Sequence, residues 1–206
     1  MLSFAVKWLG SNKGKCHALC DYSSFKKNKI DDTPLLQTLH PYLDKADVVV
    51  AHNGDNFYIK KINTRFLIDG LRQPSPYKSI DTLKICRKYF KFESNKLDNV
   101  AAHLGVGRKL PTQGKDTWIG CMNGDPASWA LMKKYNLHDV DPLLEGVYLK
   151  IRSWMSNHPD LSENMNIACR VCTSFNMHRR GPVRQSTSKF QFNCQDCGHW
   201  QVNKVA

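Results

Sequence analysis

The pairs Cys169-Arg170-Val171-Cys172 and Cys194-Gln195-Asp196-Cys197 stand twenty-one residues apart near the end of the chain. Few spacings restrict a fold so tightly. Each pair forms a knuckle that presents two thiolates to one point, and the gap has room for a short β excursion and little else. Residues 165–204 hold too little apolar material to fold without a staple. The spacing therefore predicts a small β zinc ribbon with Cys169, Cys172, Cys194 and Cys197 as tetrahedral ligands of a structural Zn2+. A redox reading of either pair needs a βαβ context that the flanking sequence lacks. Cys16, Cys20, Cys86 and Cys121 are scattered, which fits a reducing compartment. His178 and His199 lie near enough to compete as ligands. Four cysteines already complete a site, so exposed or base-contacting roles are expected for both.

The first 157 residues have a different pattern. The run from Asp47 to Ala51, "DVVVA", has no polar alternation and predicts a strand covered on both faces, as parallel strands of an α/β sheet are. Residues 2–9 and 15–21 predict a hairpin across the turn "GSNKGK". Thr33 is expected as the N-cap of a helix with Pro34 at its first position, and a further helix is expected over about 56–69. Asp81 and Ser94 are expected to cap the next two helices, the second of which Gly105 stops. Residues 105–124 read as a loop rich in Gly and Lys, after which Asp125 and Pro126 open a helical stretch that Pro142 divides. The change of composition near residue 160 places a boundary between a domain at 1–157 and the ribbon at 165–204. No run is long and apolar enough for a membrane span, and the start, "MLSFAVKWLG", does not match a signal peptide.

Thirty Lys and Arg against eighteen Asp and Glu give a formal charge of +12 that is spread along the chain. Such a field favours a polyanionic partner, although solubility alone also accounts for it. In the ribbon, Arg179, Arg180, Arg184 and Lys189 interleave with Phe175, Phe190, Phe192 and Trp200. Cations can neutralise phosphates there while aromatic faces stack on bases. Phe190 and Phe192 serve equally well as the ribbon's small core.

Three segments then line up: "AHNGDNF" at a strand end, "IDTLKICRKYF" with "SNKLDNVAAHLG" in the middle, and "YNLHDV" on a late helix. Together they resemble the DEDD superfamily of 3′ to 5′ exonucleases, in particular the phage and bacterial branch described as YprB-like and similar to the exonuclease domains of family B polymerases. The resemblance covers most of residues 1–154. It implies an α/β, ribonuclease H-like mixed sheet with flanking helices, metal-dependent hydrolysis of nucleic-acid phosphodiesters, single-stranded DNA ahead of other partners, and the cytoplasm of a bacterium or phage-infected host. Such sites clamp the scissile phosphate between two divalent ions, Mg2+ or Mn2+, about 4 Å apart, so several carboxylates must converge. In the family these come from a D-x-E pair on the first, central strand, an Asp in the second motif and an Asp in the third, where a Tyr four residues earlier helps orient water.

Tyr135 and Asp139 match the third motif, and their spacing puts phenol and carboxylate on one helical face. In the second motif His52, Asn53 and Phe57 match, but the expected Asp is Tyr58, and a phenol is a poor Mg2+ ligand beside a carboxylate. Asp55, three residues earlier, is a substitute ligand if the turn is already helical. The D-x-E pair has no counterpart. In relatives the stretch resembling "MLSFAVKWLG" is the second strand, so the first strand is expected to be missing, or to come from a preceding segment or a partner chain. Asp81, Lys96 and Asp98 fall on family positions that look structural. The expectation is an exonuclease-family chain that is impaired or inactive by itself. The alternatives are a nonenzymatic nucleic-acid-binding zinc-ribbon protein, or a ribbon that docks on another protein.

Overall fold

The computed structural model describes residues 1–162, 168–183 and 186–204. The chain divides into two compact units, Met1–Tyr148 and Leu149–Ala206. Together they give the expected α/β architecture followed by a small β unit.

In the first unit, β1 (Ser3–Val6) and β2 (Lys15–Ala18) pair antiparallel, Ser3 opposite Ala18 and Val6 opposite Lys15. Helix α1 (Thr33–Asp44) leads into β3 (Val48–Ala51). A wide helical turn over Gly54–Tyr58 opens into α2 (Ile59–Ile68), which carries the chain back to β4 (Lys78–Asp81). β3 and β4 are parallel, with Ala51 opposite Asp81. Five helices follow: α3 (Thr82–Tyr89), α4 (Leu97–His103), α5 (Lys115–Asn123), α6 (Pro126–His138) and α7 (Glu145–Ile151). Pro142 lies in the wide turn between α6 and α7, where its missing N–H divides the helical stretch as expected.

Several local expectations shift. β3 is parallel, but its residues are half-buried rather than covered on both faces. The strands form two separate two-stranded ladders, β1-β2 and β3-β4, instead of one continuous mixed sheet. Thr33 is the first residue of α1 and not its cap; its N–H donates to Asp31 Oδ1 at 3.0 Å. The carboxylate of Asp32, at the cap position, is occupied by Arg65, whose Nη2 donates to Oδ1 at 2.6 Å. Ser94 lies two residues ahead of the α4 cap position, Lys96. The stretch read as a loop over 105–124 contains α5, whose glycines obscure it in the sequence. Gly120 permits close packing on Ser128 of α6, and Gly124, at φ +89°, ends the helix in the left-handed region.

Two cores meet on α1. Leu35 joins Ala18, Leu19, Phe25, Cys121, Trp129 and Met132, which brings β2, α5 and α6 together. Leu36, Leu39 and Leu43 join Phe66, with Phe4 and Val6 of β1 and Val49 of β3 packed against them. The second unit is a three-stranded antiparallel sheet, β5 (Met177–Val183), β6 (Ser186–Cys194) and β7 (Trp200–Lys204), in that order.

Asp81 is the polar fastening of the β3-β4 end. Its carboxylate is buried and accepts from Leu83 N at 3.0 Å, capping α3 as expected, and from Asn53 N at 2.8 Å and Asp55 N at 3.2 Å. Removing it leaves three backbone donors without their acceptor. Asp81→Ala should therefore lower stability by about 2–4 kcal/mol, read as a fall in the urea midpoint; a loss below about 0.5 kcal/mol, the level of an ordinary surface substitution, would show that the fastening is incidental.

Candidate functional site

The second-motif turn follows β3. Asn53 takes φ +62°, a left-handed conformation that Asn tolerates better than most residues. Gly54 follows because a Cβ there would lie 2.5 Å from that of Ala51. His52 is held at both ring nitrogens: Nε2 donates to the Asn95 carbonyl at 2.9 Å, and Nδ1 is hydrogen-bonded at 2.9 Å to the Thr82 hydroxyl, which also reaches the Ala51 carbonyl at 3.2 Å. Burial pushes the His52 imidazole below its ordinary value, against the opposing pull of the Asn95 carbonyl. His52 therefore acts as a neutral brace between β3, α3 and the segment before α4.

Asp55 faces β4 and α3. Its carboxylate accepts from Lys84 Nζ at 2.7 Å and from the Ser79 hydroxyl. Burial opposes its charge, but the hydrogen bonds from Lys84 and Ser79 outweigh this and hold the carboxyl below the usual range. Tyr58 is exposed at the end of the wide turn, edge-on to Phe57 with ring centroids 5.1 Å apart, and Lys61 Nζ lies 3.8 Å from the Phe57 centroid. The turn thus presents an aromatic pair and a cation where the family resemblance implies a carboxylate.

The third-motif pair sits at the end of α6, and one side chain joins its two members. Lys109 Nζ donates to Asp139 Oδ2 at 2.5 Å and to the Tyr135 hydroxyl at 2.9 Å. Burial disfavours the Lys109 charge, but hydrogen bonds to Asp139 and Tyr135 raise the ammonium above its ordinary value. The loop carrying Lys109 is fixed to α4 and α6: Lys109 N donates to Asp98 Oδ1 at 2.8 Å, Arg108 Nη1 to Asp98 Oδ2 at 2.7 Å, and His138 Nε2 to the Arg108 carbonyl at 2.8 Å. Asp139 Oδ1 is buried and has no hydrogen-bond partner. Nearby in sequence, Asp141 and Glu145 share Lys7 Nζ at 2.8 and 2.6 Å.

A pair of divalent ions does not fit these residues. Holding roughly four positive charges requires several convergent carboxylates. Among the described residues, the four ribbon cysteines form the one group of three or more His, Cys, Asp or Glu side chains able to hold an ion. Asp139 is already matched by an ammonium, and Asp55 by Lys84. Lys109 was missed by sequence reasoning because its significance comes from the loop that delivers it and from no spacing to the motif.

In the second unit the four Sγ atoms lie within 4.8 Å of one another, Cys169 to Cys197 at 3.7 Å and Cys172 to Cys194 at 3.6 Å. Both knuckles close alike, with Thr173 N donating to the Cys169 carbonyl at 2.8 Å and Gly198 N to that of Cys194 at 2.9 Å. Thr173 and Gly198 both take positive φ, at +62° and +77°. The cluster could hold zinc through four soft thiolates. Val171 and Met177 pack around it, so the ligands are themselves the centre of the unit's core. His199 is neither a ligand nor a surface group, since it is buried with Nδ1 donating to the Ser153 carbonyl at 3.0 Å. Arg179 lies over Phe190 at 3.6 Å, and Arg180 is 5.4 Å from the exposed Trp200. Arg184 falls outside the described residues.

A family model described as the RNase H superfamily matches residues 9–145. The chain is also similar to the DNA polymerase III PolC-type of Ureaplasma parvum serovar 3, 39% identical over 79 residues, which is 38% of this chain. It spans only 5% of the length of that polymerase. No helix among the described residues is long and apolar enough to cross a membrane.

Elemental analysis of the purified chain should find one zinc per molecule, and Co2+ exchange should give the visible bands of a tetrahedral thiolate site. Cys172→Ala with Cys197→Ala should abolish both; metal retained by that double variant would place the ion elsewhere. The second expectation concerns pH. A histidine whose folded-state value lies below the ordinary 6.5 stays neutral in the native protein while the unfolded chain takes up a proton. Stability should be full above pH 6.5 and fall as the pH drops below it. His17, His158 and His199 are pushed in the same direction, chiefly by burial, so His52→Gln should flatten only part of the slope. A urea midpoint that rose between pH 7.5 and 5.5 would contradict this.

Proposed function

The chain belongs to the RNase H superfamily, and from that premise we propose that its first unit is a 3′ to 5′ exonuclease-type module of the YprB-like branch whose residues here engage a nucleic-acid end without cutting it. The observation that carries the reading is the joined pair Tyr135 and Asp139. Phenol and carboxylate share one helical face, as the third exonuclease motif requires, yet Asp139 is neutralised by Lys109 and, among the described residues, no carboxylates converge on it. Similarity to part of a DNA polymerase supports DNA as the nucleic acid, and the +12 charge supports backbone contact. Asp55 and Tyr58 complete the turn as a remnant of the second motif, with Lys84 and Lys61 close by to meet phosphates. Such a protein would work in the cytoplasm, where the ribbon's thiols stay reduced.

A second reading rests on the ribbon. Arg179 stacked on Phe190, and Arg180 beside Trp200, present guanidinium planes and an aromatic face on one small sheet. These suit a single strand, with phosphates met by the cations and a base by Trp200. In this reading the ribbon is the principal nucleic-acid contact.

The zinc-loaded chain with 5′-labelled single-stranded DNA in Mg2+ or Mn2+ should leave the DNA intact while binding it, with affinity falling steeply as salt rises. Degradation that disappears in Asp139→Ala would overturn the noncutting reading. Arg179→Ala with Arg180→Ala should lower affinity and reduce the salt slope by about one to two; no change would remove the ribbon from the contact surface.

A further inference from the structure

Trp8 and Leu9, at the tip of the β1-β2 hairpin, are 48% and 50% exposed. Their backbone is fixed nonetheless. Ser11 N donates to the Trp8 carbonyl at 3.0 Å and Gly10 takes φ +81°, which closes Trp8–Ser11 as a type II turn with glycine at the position that requires positive φ. Both arms of the hairpin are pressed onto α6 and the segment after it. Lys7 Nζ is held by Asp141 and Glu145 at 2.8 and 2.6 Å, and a Cβ on Gly14 would lie 2.8 Å from Leu137 Cδ1. Lys7 therefore points to one side of the hairpin, and Trp8 to the other, toward α1. There Trp8 is the outer member of an aromatic row. Phe4 and His17 face each other across the ladder and stack with ring centroids 5.0 Å apart. Tyr42 of α1 closes on both, 6.3 Å from Phe4 and 5.8 Å from His17, with its hydroxyl 3.3 Å from His17 Nε2. Trp8 lies 6.4 Å from Tyr42, inclined at 38°. The row starts at Phe4, packed on the α1 core, and ends at an indole in water.

We propose that Trp8 is a stacking platform for an unpaired base of a bound nucleic-acid strand, which extends the row by one ring while Lys13 and Lys15 meet the strand's phosphates. Two features select a nucleic acid over an apolar protein surface. The first is what the tip exposes: an indole at the open end of an aromatic row, on a backbone already ordered, so that docking a flat ring adds little ordering cost. The second is charge. Lys13 and Lys15 are exposed, and among the described residues neither has an acidic partner. Lys15 stands opposite Val6, on the face of the ladder that carries the row. The acids around the hairpin are already matched, Asp21 by Lys133, and Asp141 and Glu145 by Lys7. The tip thus sets uncompensated positive charge beside an aromatic face, the combination that holds single strands by stacking and backbone attraction. An apolar partner would have to desolvate both ammonium groups without replacing their water.

The proposal rests on the nucleic-acid reading of the first unit and goes beyond it by naming a base contact. Affinity of the full zinc-loaded chain is measured by fluorescence anisotropy, without added Mg2+ or Mn2+, for two labelled strands of equal length. One is oligothymidylate; the other is built of abasic sites, which keep the phosphates and lack the bases. Melting curves establish that each variant is folded. Trp8→Ala and Trp8→Leu, which lack a ring, should each weaken oligothymidylate binding at least about fivefold and leave the abasic strand unaffected. Trp8→Phe, which keeps one, should recover most of the loss. Lys13→Gln with Lys15→Gln should weaken both strands alike and reduce the salt slope by about one to two; an unchanged slope would overturn the phosphate contact. Oligothymidylate affinity that stays at the wild-type value in both ringless variants overturns the platform and leaves the nucleic-acid reading standing. A loss of equal size on the abasic strand does the same, since it would make Trp8 a structural residue of the hairpin. Failure of the wild-type chain to bind either strand would remove the nucleic-acid reading and this contact with it.

Discussion

Helix α1 carries a burden that a continuous sheet bears in most α/β domains. The two ladders of the first unit share no hydrogen bonds with each other, and an isolated pair of short strands is marginal in water. They are joined by burying side chains on a common helix. Leu36, Leu39 and Leu43 gather β1, β3 and α2, while Leu35, one position away on the helix, reaches into the core under β2, α5 and α6. Each fully buried leucine contributes about 1.5–3 kcal/mol, and four on one helix make α1 the framework to which the ladders are attached. The half-burial of β3 follows, because helices cover it without strands on both sides.

On this framework the polar fastenings do the positioning. Parallel pairing puts Ala51 opposite Asp81, so the end of β3 and the start of α3 arrive together. One buried carboxylate then serves the turn and the helix. His52 ties the same corner to the segment before α4, and Asp98 of α4 fastens the loop that carries Lys109 to Asp139. A chain of hydrogen bonds thus runs from the second-motif turn through α4 toward the third-motif pair. Asp81 and Asp98 act as anchors of backbone, which is the structural role expected of them.

Much of this was legible wherever one residue determines one local event. Asp81 and Asp125 cap their helices through short side chains acting on their own neighbours, Gly105 sits at φ +66° where a helix must stop, and the knuckle spacing brings four sulfurs together. What stayed hidden depends on partners distant in sequence. α5 carries Gly120, which weakens a helical pattern but is needed for the helix's close approach to α6. β4 is too short to show alternation and exists because β3 offers it a ladder. Asp32 is a plausible cap by type, yet Arg65 claims its carboxylate. His199 looks like a spare ligand, and its burial and bond to Ser153 appear only once the ribbon is folded. Lys109 has no signature, since its meaning is the loop geometry.

Set beside the exonuclease resemblance, Tyr58 and Asp139 differ from what it implies in a common electrostatic direction. At Tyr58 a negative charge is replaced by an exposed aromatic edge beside lysines, and at Asp139 the negative charge is retained but cancelled by Lys109. A site meant to concentrate divalent ions needs surplus negative charge, and both departures remove it. A surface that meets a phosphate backbone, as the proposed function requires, favours the same loss of negative charge. The same sign runs through the ribbon, where guanidinium groups lie against aromatic rings. The third-motif pair therefore keeps phenol and carboxylate on one face while Lys109 cancels the negative charge that a site for divalent ions would need.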